Sequence, residues 1–314
     1  MSLPHIGSNA RGYPCAACAS SETQPYAQAR DVEYFTSARQ FTYVRCANCG
    51  ALSLVNPPID ELALIYPSNY YSFQPTDNSL GLRIKDALDR RLFRRCLKQL
   101  PDRPLALMDV GGGSGHQLTL IRDLDVRVQK TLIADLDVKA ESLARAAGHS
   151  YFLGRIEEYQ PDTEFDLILA LNLIEHVANP LEVMTKLKDC LSPSGMVLVK
   201  TPNIDSLDHR LFRHKNWGGY HCPRHWTLFD RESFLKLASE AGLRVTYFAY
   251  TQGAPFWALS ILAALKGKLY HGDPSHPTYQ HPLYPALTLL FAAGDFLRRP
   301  FAKTSQMFVI LMRA

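Results

Sequence analysis

The sequence predicts an α/β fold: a doubly wound, mostly parallel sheet of seven strands, with a small cysteine-bearing ribbon before it and a helical insertion ahead of the last strand. Three observations carry this. Between residues 105 and 200, apolar runs of strand length alternate with helix-period segments, as in a parallel sheet covered on both faces. The first run, Leu105-Ala-Leu-Met-Asp-Val110, is cut by Gly111-Gly-Gly-Ser-Gly115 and reopens as a helix at His116, so backbone amides face whatever binds there. Further on, 243–250 and 306–312 read as an antiparallel pair closing the sheet.

Taken in order, the chain opens with a polar lead-in at 1–14, expected to be disordered. Cys15-Ala-Ala-Cys18 and Cys46-Ala-Asn-Cys49 follow, two C-x2-C pairs with a 27-residue gap. In a reducing compartment such pairs hold metal rather than disulfides, and four thiolates suit one structural zinc, with reduced, metal-free cysteines as the alternative. The ribbon, 15–60, is too short to fold by apolar burial alone, so loss of the metal is expected to unfold it and leave the sheet intact. Asn56-Pro57-Pro58 reads as a turn leaving the ribbon. In the linker and basic helix, 61–104, the cluster Tyr66 to Tyr71 either lies over the mouth of a site or packs the ribbon on the core, and packing is the expectation. There Ile84, Leu88, Leu92, Cys96 and Leu100 form one stripe beside a solvated face of Arg90, Arg91, Arg94, Arg95 and Lys98.

From 105 the expected strands are 105–110, 130–134, 150–153, 165–171 and 196–200, with helices at 116–123, 138–147 and 180–192; Asp137 and Asn179 cap the last two. The loop from His209 to Phe229 mixes aromatics, imidazoles and Arg224, the composition of a substrate-pocket wall. Its histidines have no assured helical pairing, so no metal is expected there. A helix at 231–241 leads to the closing pair of strands. The insertion, 251–305, is apolar nearly all round from Phe256 to Leu265, with Lys266 and Lys268 beyond, and again from Leu287 to Phe291 before Arg298 and Arg299. A helix apolar on every side must be covered. The cover is either protein, as the sheet edge or a second copy in a homodimer, or a membrane surface.

The net charge of +4, from 34 basic and 30 acidic residues, is too mild to argue a nucleic-acid partner. The N-terminus lacks the charged start and apolar core of a secretory signal, and the apolar stretches at 256–265 and 283–294 fall short of the ~20 residues of a bilayer span. A cytoplasmic protein is expected, peripheral to the inner face of the membrane if the insertion meets lipid.

Four features stand in order: alternate Gly111, Gly113 and Gly115; Asp135 ending the second strand twenty residues later; Gly154-Arg-Ile-Glu157; and Asn172-Leu-Ile-Glu-His176 after the fourth strand. In order and spacing they resemble the class I S-adenosylmethionine (SAM) dependent methyltransferases. The third glycine of the dinucleotide pattern G-x-G-x-x-G is absent, since His116 stands there. The resemblance implies the Rossmann-like methyltransferase fold and SAM as cofactor. It implies Asp109 and the loop of Gly111, Gly113 and Gly115 at the methionine end, Asp135 and Leu136 at the ribose, Arg155 and Ile156 at the adenine, and Asn172 and Leu173 beside the sulfonium. His176 and His225 are the candidate catalytic bases, each with a structural alternative.

The expected function is methyl transfer to oxygen or carbon of a small-molecule acceptor: a sugar, a quinone-like or a lipid-linked metabolite. A zinc ribbon joined to such a domain resembles the sugar C-methyltransferases. One rival is an RNA methyltransferase gripping RNA with the ribbon. The mild charge counts against it, as does Asn56-Pro-Pro-Ile59, misplaced and without the aromatic residue of the amino-methylating motif. The other is a non-catalytic scaffold, which intact glycines and Asp135 disfavour. Insertion 251–305 is the main departure from the family pattern.

Overall fold

A computed structural model describes residues 10–70, 80–265 and 272–314, with the side chains of its second helix described from Arg83 onward. Residues 1–9 of the lead-in, Tyr71, Lys266 and Lys268 lie outside the described residues.

The chain begins with strands β1 (Thr23–Ala29), β2 (Phe41–Cys46) and β3 (Leu52–Leu54), then helices α1 (Leu62–Ile65) and α2 (Leu80–Leu97). The alternating part is β4 (Leu105–Val110), α3 (His116–Arg122), β5 (Val128–Asp135), α4 (Val138–Ala146), β6 (Ser150–Leu153), β7 (Phe165–Leu171), α5 (Pro180–Cys190) and β8 (Leu191–Pro202). After it come α6 (Leu207–Phe212), β9 (Thr227–Leu228), α7 (Arg231–Glu240), β10 (Leu243–Thr251), α8 (Ala254–Leu265), α9 (Tyr284–Arg298) and β11 (Gln306–Arg313).

The large sheet has the order β10-β11-β8-β7-β4-β5-β6, with β11 antiparallel to both neighbours and the other pairs parallel. This is the seven-stranded, doubly wound sheet that the alternation implied. Strand order reverses at β4, where β5 and β6 extend one way and β7 and β8 the other, so a crevice opens beyond the C-terminal ends of β4 and β7. All six positions of β4 and six of the seven in β7 are buried, which is why both read as continuous apolar runs. The buried carboxylate of Asp166 in β7 accepts two hydrogen bonds from Arg103, at 3.1 and 2.7 Å, and others from the Ala106 amide and the Ser192 hydroxyl. Asp137 and Asn179 cap α4 and α5 by accepting from the amides of Lys139 and Glu182. Asn56 turns the chain out of the ribbon with φ of 49°.

The cysteine segment does not close on itself. Strands β1, β2 and β3 gain β9 as a fourth, antiparallel strand, Leu52 facing Leu228 and Ser53 facing Thr227. Phe41, Tyr43, Leu52 and Leu54 share one apolar cluster with Trp217, Tyr220, Trp226 and Leu228. Cys15 and Cys46 join the cluster that holds Met184, Phe229 and Val309. The loop from His209 to Phe229, expected as pocket wall, is therefore mainly core: its large rings supply the apolar area that a short ribbon lacks. The expectation of a ribbon independent of the sheet is corrected by the same contacts.

The stripe expected along α2 divides. Cys96 and Leu100 are buried with Phe93 and Leu97, while Ile84 and Leu88 are exposed, because the helix docks by its C-terminal half. Arg91, Arg94, Arg95 and Lys98 form the solvated face. In the insertion, α8 is covered by its own chain. Trp257, Leu259 and Leu262 are buried, Ser260 accepts from the Gly218 amide at 2.8 Å, and Trp257 stacks on Phe291 of α9 with ring centroids 4.6 Å apart. The outer side of α9 differs: Leu289, Leu290, Phe296 and Leu297 are 63–73% exposed. Among the described residues no helix is long and apolar enough to cross a membrane.

Candidate functional site

A cavity of about 570 Å³ occupies the crevice. Its floor is the end of β4 with Gly111 and Gly113, the end of β5 with Asp135 and Leu136, the turn at Arg155 and Ile156, and Asn172, Leu173 and His176 after β7. Gly111 and Gly113 turn the chain with φ of 75° and 52°. The Gly113 amide donates to Asp135 Oδ2 at 2.8 Å and the Asp137 amide to Oδ1 at 3.0 Å. Both carboxylate oxygens are thus fixed, with lone pairs left for hydroxyl donors.

Two of the residues expected at a cofactor do not line the cavity. Gly115 is a packing position: a Cβ there would come within 2.6 Å of His149 Cδ2 and 2.7 Å of Ile133 Cδ1. Asp109 lies beneath the loop, 2.6 Å from where a Cβ on Gly112 would be. Burial first and the Asp135 charge second push its carboxyl up to about 8, so at neutral pH it is mostly protonated and offers no charge.

His176 stands at the other end of the cavity. Its Nδ1 is 3.1 Å from the Arg224 carbonyl and 3.0 Å from the Tyr66 hydroxyl. A carbonyl only accepts, so Nδ1 carries the hydrogen and Nε2 is a lone pair without a partner among the described residues. His225 is held alike, Nδ1 donating to the Gly219 carbonyl at 2.8 Å, and its ring meets His176 edge-on with centroids 4.6 Å apart. It does not line the cavity; it backs His176. Burial, above all, pushes His176 down to about 3 and His225 well below its ordinary value. Glu175, fully buried, is pushed up to about 8 by burial; its Oε2 accepts from Thr201 while Oε1 has no partner among the described residues. One donor atom from each of Glu175, His176 and His225 lies within 4.8 Å of the others, a set that can position a hydroxyl or hold a cation. The histidine loop thus brings one member, His225, to a donor set where no metal was expected.

The opposite wall is Leu62, Tyr66, Tyr70 and Trp226. For Tyr66 and Tyr70 the structure takes the alternative reading of their cluster, over the mouth of the site, rather than the expected packing, and no spacing shows that a segment 110 residues away lies over His176. Arg224, expected in the wall, is instead fully buried against Asp31.

Away from the cavity the four cysteines meet. Cys15 and Cys49 Sγ atoms are 3.6 Å apart, as are those of Cys18 and Cys46, and all four lie within 4.8 Å. A tetrahedral zinc with Zn–S bonds of about 2.3 Å separates its sulfurs by about 3.8 Å. The cluster fits a structural zinc, and Asn48 Nδ2 lies 3.5 Å from Cys18 Sγ as an outer hydrogen bond.

Residues 83–247, over half the chain, match the methyltransferase domain family. The chain belongs to that family. The chain is 28% identical over 123 residues to a ubiquinone biosynthesis O-methyltransferase of Bradyrhizobium sp. (strain ORS 278), an overlap of 38% of this chain and 49% of that one. A Rickettsia felis ubiquinone biosynthesis O-methyltransferase is 30% identical over 102 residues, 32% of this chain and 42% of the relative. The chain thus spans half or less of the length of these relatives. Coclaurine N-methyltransferase, solved with N-methylheliamine and SAH, superposes with a TM-score of 0.51 at 14% identity over 81% of each chain, a likeness of fold.

Proposed function

We propose that the protein transfers a methyl group from SAM to an oxygen or carbon of a small-molecule acceptor of the sugar, quinone-like or lipid-linked class. One observation carries the reading: a single cavity joins the glycine loop and an amide-held Asp135 to an imidazole with an open lone pair. SAM supplies an activated methyl on a positively charged sulfur, so the chain has only to align the partners and take up a proton. Asp135 accepts the two ribose hydroxyls and Arg155 and Ile156 border the adenine. Asn172, held at φ 54°, and Leu173 stand at the reacting end. His176 Nε2 accepts the proton of an acceptor hydroxyl as the new O–CH3 bond forms. The charge the ring gains replaces the sulfonium charge lost in the same step, so the cavity's net charge is unchanged. His225 and Tyr66 position the ring. Zinc at Cys15, Cys18, Cys46 and Cys49 is structural.

The exposed side of α9 is the part of the insertion left to be covered, and we propose that it meets a membrane surface, making the protein peripheral. Apolar residues fill that side and Arg299 ends it, the composition of an interfacial helix, while Arg298 turns inward onto Asp295 and Trp257. Flotation with anionic vesicles checks this. Leu290→Glu should keep the protein off the vesicles; if it disrupts a dimer instead, the cover is a second copy.

Methyl-labelled SAM incubated with the protein and a metabolite extract tests the reaction. Label in a small molecule, read by mass spectrometry, is expected. Label in RNA would favour the RNA reading, and failure to bind SAM would favour a scaffold.

A further inference from the structure

Tyr70 lines the cavity, and its hydroxyl is 3.1 Å from His221 Nε2. The other nitrogen of that ring, Nδ1, is 2.5 Å from Glu33 Oε2. His221 and Glu33 are buried and do not line the cavity, so they reach the site only through Tyr70. Neither has a part in the reaction as derived so far. The backbone of His221 is held in the left-handed region, φ 38°, which is uncommon for a residue with a side chain. Such strain persists where the surroundings fix it, and here the rings of His225 and Tyr34 do so, with centroids 4.9 and 6.2 Å away.

An ionised carboxylate only accepts, so the His221 hydrogen sits on Nδ1, and Nε2 meets the Tyr70 hydroxyl. A neutral ring takes the Tyr70 hydrogen bond at Nε2, and the Tyr70 oxygen then accepts from a donor that meets it. A protonated ring donates from Nε2 instead, and the Tyr70 hydrogen turns away. The two arrangements differ by one proton passed through Tyr70, and the Glu33 carboxylate opposes the charge in the second.

We propose that Tyr70 is a further catalytic residue, which takes a proton from a second hydroxyl of the acceptor as its own hydrogen passes to His221 Nε2. While that proton is away, the charge left on the acceptor makes it a stronger nucleophile toward the sulfonium methyl. His176 still takes the proton of the oxygen that is methylated. The second proton returns through Tyr70 once the methyl has moved, so each turnover releases one proton. Glu33 and His221 are positioning residues that act through Tyr70. The inference rests on the methyl-transfer reading and adds that the acceptor carries two hydroxyls.

The test follows label from methyl-labelled SAM into the metabolite extract, at several dilutions of the extract, for the whole chain and for Tyr70→Phe, Glu33→Gln and the double variant. Thermal melts and SAM calorimetry control for folding, and His221→Asn stands in if Tyr70→Phe unfolds. Glu33→Gln keeps the bulk and the hydrogen bond and removes only the charge. Tyr70→Phe should lower kcat by at least about tenfold, Glu33→Gln should lower kcat by less with KM unchanged, and the double variant should be no slower than Tyr70→Phe. Losses that add in the double variant, or an unchanged kcat in folded, SAM-binding Tyr70→Phe, overturn the proposal while the methyl-transfer reading stands. No label in any small molecule from the wild type overturns both. Hydrogen–deuterium exchange in the mass spectrometer should count at least one exchangeable hydroxyl in the methylated product, and a product with none overturns the proposal.

Discussion

The Gly113 amide donates to Asp135 Oδ2 at 2.8 Å, which makes the glycine loop and the acid ending β5 one unit. Asp135→Ala removes a charged acceptor for two hydroxyls and the anchor of the loop. SAM affinity is expected to fall by about 2–3 kcal/mol, roughly 30- to 150-fold, with a smaller loss for Asp135→Asn. Calorimetry decides; unchanged affinity in the alanine variant would place the ribose elsewhere.

His176 yields a prediction about pH. An unperturbed imidazole titrates near 6.5, and a base of that kind loses activity as pH falls through it. Burial holds His176 at about 3, so its neutral form persists and kcat/KM should show no acid limb between about pH 5 and 7. His176→Ala should lower kcat about 10²- to 10⁴-fold with SAM binding intact. Tyr66→Phe should cost less, because the Arg224 carbonyl still holds Nδ1. An acid limb centred near 6.5 that vanishes in His176→Ala would contradict the low value.

The parts of this molecule legible in its sequence are those set by local pattern. The apolar run 165–171 has the bounds of β7, and Gly111 and Asp135 mark the ends of β4 and β5, because burial on both faces and tight turns leave marks within a few residues. What was misjudged depends on distant chain. Ile84 and Leu88 have the period of a packed stripe, but nothing nearby says that α2 docks by its C-terminal half. Trp217 and Tyr220 look like pocket residues until β9 draws their loop against the ribbon. The Tyr66 cluster allows a place over the site as well as packing, and only its bond to His176, a pairing no local signal encodes, decides between them.

The cysteine cluster should hold one zinc per chain, lost in Cys15→Ser or Cys49→Ser. Because Cys15 and Cys46 share a core with Met184 and Phe229, and β9 completes the ribbon's sheet, metal loss should lower the melting temperature of the whole domain. Elemental analysis of protein made under reducing conditions checks the metal. Hydrogen exchange of the metal-free protein checks the coupling, and undiminished protection in β7 and β8 would show that the ribbon unfolds alone.

Arg224 and Asp31 give the last prediction. The pair is fully buried, with Arg224 Nη2 donating to Asp31 Oδ2 at 2.9 Å. Arg224 also donates through Nε to the Ile65 carbonyl at 2.6 Å, and its guanidinium lies 4.5 Å from the Tyr34 ring centroid. Asp31 in turn accepts from the amides of Glu33, Tyr34 and Thr36. Burial opposes ionisation of Asp31, but the charge and hydrogen bonds of Arg224, with those from Thr36 and Tyr34, outweigh it and hold the carboxyl below its usual value. A depressed carboxyl contributes stability that is full above about pH 4 and is lost as pH falls through the lower folded value. Arg224→Met keeps the bulk but strands the carboxylate, so it should destabilise by about 3–5 kcal/mol at pH 7. Without the cation, burial raises the Asp31 pKa, so the variant can relieve the penalty by protonating. The gap from wild type should therefore narrow between pH 7 and pH 5, and Arg224→Met/Asp31→Leu should recover much of the loss. Urea unfolding at the two pH values measures this; a gap that widens toward pH 5 would mean that the stranded charge is not the source of the instability.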